Sequence, residues 1–158
     1  MAKPLQVKQT IKSYFDNKGY SYDIEEKSTW VLYSRFKTRF EDKLAGLAIV
    51  YHGTDINVTV TFSELVQKKD YLVISTFMLR LNRYLKRGHF FIDYEAGSVN
   101  FKMWHSSKGK VTVGDIGNLV LISIGSIETL MSVLQQVLKQ EITVKEGVKL
   151  YVSGGEDS

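Results

Sequence analysis

Residues 79–102, LRLNRYLKRGHFFIDYEAGSVNFK, constrain the fold most, because they join a helix end to a β-hairpin with a readable register. Ile74, Phe77, Met78, Leu81, Leu85 and Gly88 recur at three- and four-residue spacing, which predicts a helix over 71–87 with one apolar stripe. Gly88 suits the left-handed conformation that stops a helix. Two runs then alternate around Glu95-Ala96-Gly97-Ser98, with Ala96-Gly97 at the tip. Placing Glu95 opposite Ser98 pairs Tyr94 with Val99, Ile92 with Phe101 and Phe90 with Met103, all on one face. The opposite face then sets His89 against Trp104, Phe91 against Lys102 and Asp93 against Asn100.

The rest of the chain supplies an α+β frame. Pro4 suits the first position of a helix, Val7, Ile11, Tyr14 and Phe15 share one stripe of it, and Gly19 ends it. Strands are expected over 30–37, 47–52 and 56–62, with residues 37–43 as a connection. In the last strand Ile56, Val58, Val60 and Phe62 face inward, while Asn57, Thr59, Thr61 and Ser63 face out. A long helix opens at Thr112, which can cap it, with Asp115 favouring its positive end. Between 119 and 124 this helix is apolar nearly all round, as in a buried helix or one shared with a second subunit. Gly125 in mid-helix fits either a close backbone approach or accident. Near the C-terminus, Thr143 and Glu146 form a capping box, and Val144, Val148 and Tyr151 keep helical spacing, so a short helix is preferred to a strand. The expected order is α-β-β-β-α-β-β-α plus a short C-terminal helix, with an antiparallel sheet of about five strands. Residues 1–152 form a single domain in this reading, and 153–158 a disordered tail.

Leu81-Asn82, then Gly88-His89-Phe90-Phe91-Ile92-Asp93, then Gly97-Ser98-Val99-Asn100-Phe101-Lys102 resemble the YbjN family. Only this central block matches residue by residue, although element order agrees over roughly 5–151. The resemblance implies a type III secretion chaperone-like fold, a homodimer holding protein segments, and a short capped helix after the third one. It carries over no catalytic residues.

Composition bounds the function. With 44% hydrophobic and 24% charged residues, the 158-residue chain is ordinary for a soluble globular domain. It has no cysteine, which excludes disulfides and thiolate chemistry. Neither a signal-like apolar region near the start nor a run approaching the ~20 residues of a membrane span is visible, so the cytoplasm is the expected location and no membrane the expected partner. The net charge of +4 is mild. Its densest cluster is Arg80, Arg83 and Arg87 with Lys86, a solvated helix face or a phosphate-binding stripe, with the first reading preferred.

No catalytic, cofactor-binding or metal-ligating set emerges. His52, His89 and His105 show no ligand spacing, no serine sits in a nucleophile elbow, and Gly109, Gly114 and Gly117 lack the spacing and lysine of a phosphate loop. Asp93 beside Asn100 reads as polar pairing, since a general acid needs a second carboxylate or a desolvating pocket. Asn82, at the edge of the core, must satisfy its amide, most simply with backbone of the neighbouring hairpin. The sharper feature is the hairpin's outer face. Phe91, Lys102 and Trp104 form a candidate interaction face unless another part of the chain covers them. These features favour a non-enzymatic protein-interaction module, chaperone-like or regulatory, acting as a homodimer with a possible protein partner. The alternative is a single-stranded nucleic-acid-binding protein using a basic, aromatic sheet face. Nucleic acid is the less favoured partner, because the element order differs from that of the common RNA-binding sheet module.

Overall fold

Four helices and a six-stranded antiparallel sheet make up the fold of residues 3–40, 43–62 and 66–154, which are described by a computed structural model. Helix α1 (Pro4–Lys18) begins on its proline, buries Val7, Ile11, Tyr14 and Phe15, and stops at Gly19 with φ 68°. Strands β1 (Tyr22–Glu26), β2 (Trp30–Lys37), β3 (Leu44–Tyr51) and β4 (Asp55–Phe62) follow as a meander. A short 3-10 turn (Lys68–Asp70) leads into α2 (Tyr71–Asn82), and β5 (His89–Asp93) and β6 (Ser98–Ser106) form a hairpin. Helices α3 (Val113–Leu138) and α4 (Val144–Ser153) complete the chain. The strand order is β1-β2-β3-β4-β6-β5, so β6 rather than β5 lies against β4.

Alternation places the core. Leu32, Leu47, Ile49, Ile56, Val58, Val60, Phe62, Val99, Phe101 and Met103 point to one face of the sheet and are buried there. The helices cover that face: α3 packs on β4 and β6, α2 on β5, and Phe15 of α1 meets Tyr22 edge-on and Phe36 at a tilt. Capping boxes open both C-terminal helices, Thr112 with Asp115 and Thr143 with Glu146. In each, the carboxylate accepts hydrogen bonds from the threonine N–H and hydroxyl, which holds its pKa below the usual carboxylate range.

Several expectations are corrected. The sheet has six strands rather than five, because Tyr22 and Ile24 alternate with Asp23 and Glu25 in a short acidic strand paired to β2. Glu25 and Glu26 therefore lie in β1, and of the expected connection over 37–43, Glu41 and Asp42 fall outside the described residues. Helix α2 ends at Asn82, not at 87. Gly88 does have φ 76°, but its task is a close approach: an added Cβ would lie 2.5 Å from Cζ of Phe101 and 2.8 Å from the Lys102 carbonyl oxygen. Helix α4 runs through Ser153, and of the expected tail residues 155–158 fall outside the described residues.

The hairpin register is displaced by two residues from the expected one. Asp93 pairs with Ser98, Ile92 with Val99, Phe91 with Asn100, Phe90 with Phe101 and His89 with Lys102. The cause is Asp93. Its carboxylate accepts N–H groups of Glu95 and Ala96, both at 3.0 Å, and folds residues 94–97 into a four-residue loop instead of a two-residue tip. A shift of two leaves each side chain on its original face, so Phe90, Val99, Phe101 and Met103 stay buried. Ile92 is half-buried, and Tyr94 leaves the core for the loop, where its ring meets Tyr71 and its hydroxyl lies 2.7 Å from that of Ser75. The hairpin packs on α2, α3 and α4: β5 lies against α2, β6 lies under α3, and Phe90 meets Tyr151 of α4 edge-on at 5.8 Å.

Helix α3 is predominantly apolar well beyond 119–124, and by length and composition alone could cross a bilayer. One side is committed to the core through Ile116, Val120, Ile127, Leu130 and Leu134. The other side leaves Leu121 61% exposed and Ile122 also exposed. An added Cβ at Gly125 would meet nothing within 4 Å, so no close approach within the chain explains that glycine. Glu128, nearly buried, accepts from the backbone N–H and Nε of Arg39, both at 3.0 Å, and ties the β2–β3 connection to α3.

Candidate interaction surface

Among the described residues the second face of the sheet carries no helix, and this open face is where Phe91, Lys102 and Trp104 lie. Its layout follows from strand pairing. One row across the sheet runs Phe91, Asn100, Thr61, Gly46 and Arg35; the next runs His89, Lys102, Thr59, Ala48, Tyr33 and Asp23. A third runs Trp104, Asn57, Val50, Val31 and Glu25.

Small side chains at the centre and larger ones to either side make a trough. Gly46 and Ala48 of β3 form its floor, with Tyr33 and Arg35 of β2 on one flank and Thr61 of β4 on the other. Its volume is about 740 Å³, and Ser21, Tyr22 and Asp23 close the β1 end. Toward β6 the face is stiffened by a buried polar chain. The Thr61 hydroxyl donates to Oδ1 of Asn100 at 2.6 Å, and Nδ2 of Asn100 donates to the carbonyl and hydroxyl oxygens of Ser98, each at 3.1 Å.

The three expected residues share this face without touching as a cluster. Phe91 lies beside His89 with the rings tilted and their centroids 5.8 Å apart. Trp104 lies beyond the end of β5, two rows away beside Asn57, and is 61% exposed. Lys102 sits in the row between them. No described element covers Trp104, so intramolecular cover of that side chain is ruled out among the described residues. Arg80, Arg83 and Arg87 lie elsewhere, exposed at the end of α2 and in the turn before β5. Tyr33, Arg35, Gly46 and Ala48 were not singled out from sequence. The signal for Tyr33 and Arg35 was present in the doubly apolar alternation of β2, but the floor residues are defined only by strand pairing. Among the described residues no three His, Asp or Glu side chains gather into a metal-binding group.

A six-stranded antiparallel sheet with all its helices on one side and an open second face defines the class of fold. Among solved structures it is similar to the crystal structure of YbjN from E. coli, a candidate transcription regulator, at 17% sequence identity and TM-score 0.58, covering 84% of this chain and 92% of that one. The fold is YbjN-like. No family model and no curated protein matches the sequence.

Proposed function

We propose that this chain is a non-enzymatic protein-interaction module that works as a homodimer and takes a protein partner on the open face of its sheet. The observation that carries this reading is Trp104, held 61% exposed on a sheet face that no described helix covers, the same face that holds the trough floored by Gly46 and Ala48. Leaving so large an aromatic in water forgoes roughly 2 kcal/mol relative to burial, which a partner can recover. Leu121 and Ile122, exposed on the uncharged outer side of α3, supply a surface for self-association. The test is capture from nuclease-treated lysate by immobilised wild type and Trp104→Ser, with sedimentation of each. Loss of protein capture by the variant supports the reading; equal capture overturns it.

A single-stranded nucleic-acid platform is the second reading, favoured by Tyr33 and Trp104 sharing a face with Arg35, Lys37 and Lys102. Steeply salt-dependent oligonucleotide binding that Trp104→Ser abolishes would select it.

A further inference from the structure

The chain's positive charge is concentrated in one place. Residues 68–87 hold Lys68, Lys69, Arg80, Arg83, Lys86 and Arg87 against the single carboxylate of Asp70, a surplus larger than the net +4 of the whole chain. All six cations are exposed, and none forms an ion pair among the described residues. Between the two ends of this cluster lies an apolar line. Leu72, Thr76 and Leu79 follow one another at four- and three-residue spacing on the side of α2 opposite the buried Ile74, Phe77, Met78 and Leu81, and Arg83 continues the line. Leu72 is 78% exposed and Leu79 69%. Two helical turns, about 10.5 Å, separate them.

We propose that this side of α2 binds an acidic amphipathic helix of a partner protein, whose apolar side chains cover Leu72 and Leu79 while its carboxylates meet the cations at either end. Charge and shape select that occupant. A second copy of this chain packed through the same side of α2 would set six cations against six. Phosphates of a nucleic acid gain nothing from two leucines, and the line itself offers no aromatic ring for base stacking, the exposed Tyr84 lying past the end of the helix. A membrane surface is best served by a broad apolar face, whereas this line is one residue wide and interrupted by Thr76. A partner that presents both carboxylates and an apolar stripe engages the leucines and the cations together. This surface is separate from the open sheet face, and the inference does not depend on the reading of that face.

The probe is a fluorescent helical peptide with leucines at alternating three- and four-residue spacing and glutamates elsewhere, titrated with the full chain and followed by anisotropy. The comparison probes are a scrambled peptide of the same composition, the same peptide with lysine for glutamate, phosphatidylserine vesicles and oligothymidylate. The expected result is saturable binding of the acidic helix, weakened about tenfold or more by Leu79→Ser and likewise by Arg83→Glu. Both replaced side chains are exposed, and circular dichroism checks that the fold is kept. Trp104→Ser binds the peptide as wild type does, so failure of the sheet-face reading and failure of this one are told apart. The proposal is overturned by absence of binding, by equal binding of the scrambled peptide, by tighter binding of vesicles or oligothymidylate, or by indifference to Leu79→Ser. Dissociation of a dimer by Leu79→Ser overturns it too, because the occupant is then a second copy.

Discussion

Asn82 holds the backbone of Phe90 from both sides: its Nδ2 donates to the Phe90 carbonyl at 2.9 Å, and its Oδ1 accepts the Phe90 N–H at 2.8 Å. The side-chain amide thus occupies the place of a neighbouring strand on the outer edge of β5. It satisfies a backbone pair that would otherwise be stranded beside a buried phenyl ring, and it blocks strand addition at that point. The same pair of bonds accompanies the end of α2 five residues before its expected stop, since Asn82 is the last residue of the helix.

Replacing Asn82 with Ala should therefore cost about 2–4 kcal/mol, two lost hydrogen bonds plus the desolvated backbone groups they leave behind. Asn82→Asp keeps the acceptor but turns a carboxylate oxygen toward the Phe90 carbonyl, so it should be no better than Ala at neutral pH. Urea denaturation of the three proteins checks both statements.

Gly88→Ala combines a left-handed backbone with a collision against Phe101 and the Lys102 carbonyl. The strain alone is worth about 1–2 kcal/mol and overpacking about 1–3 more. Its urea midpoint should fall well below that of Gly109→Ala, where an added Cβ meets nothing within 4 Å. Similar midpoints for the two variants would show that the turn relaxes around the new methyl group.

Phe101, 1% exposed under α3, should cost about 3–5 kcal/mol when cut to Ala, including the cavity left behind. Trp104→Ser should by contrast change stability by no more than about 0.5 kcal/mol, because its ring faces solvent in the single chain. Thermal unfolding of both variants at one fixed protein concentration separates the two, so that any self-association weighs on both alike.

The capping carboxylates predict an acid limb. Asp115 and Glu146 are both held below the usual carboxylate range, chiefly by backbone N–H groups of Thr112 and Thr143. A depressed folded pKa contributes stability that is complete above the unfolded value, and that is lost as pH falls through the folded one. Melting temperature should thus hold above about pH 5 and decline through and below pH 4. Asp115→Asn with Glu146→Gln should start lower and decline less steeply over that range.

Much of this fold is legible in the letters. Pro4, Gly19 and the two capping boxes mark helix ends through backbone chemistry local to each, and the inward apolar alternation of β4 fixes its face without reference to any neighbour. One residue and one strand defeated local reading. Asp93 lies next to Ala96-Gly97, a pair that suggests a tight tip, but its carboxylate recruits two loop N–H groups and lengthens the turn. Strand β1 is short and acidic, and becomes a strand only because β2 offers it an edge. The candidate surface was half legible: the alternation of β6 turned Lys102 and Trp104 outward. The trough, however, depends on Gly46, Thr61 and Arg35 coming side by side from three strands, which no local pattern encodes.

The pairing of β4 with β6 also bears on how the chain finds its structure. Strands β1 to β4 are each paired with a sequence neighbour, as are β5 and β6; only the seam between these groups joins distant parts, with Thr61 and Asn100 39 residues apart. The loop-closure entropy of the sheet is concentrated at that one seam. Two locally assembled halves have to dock along a single strand pair, where a slip of two residues keeps every apolar side chain facing the core and changes every partner.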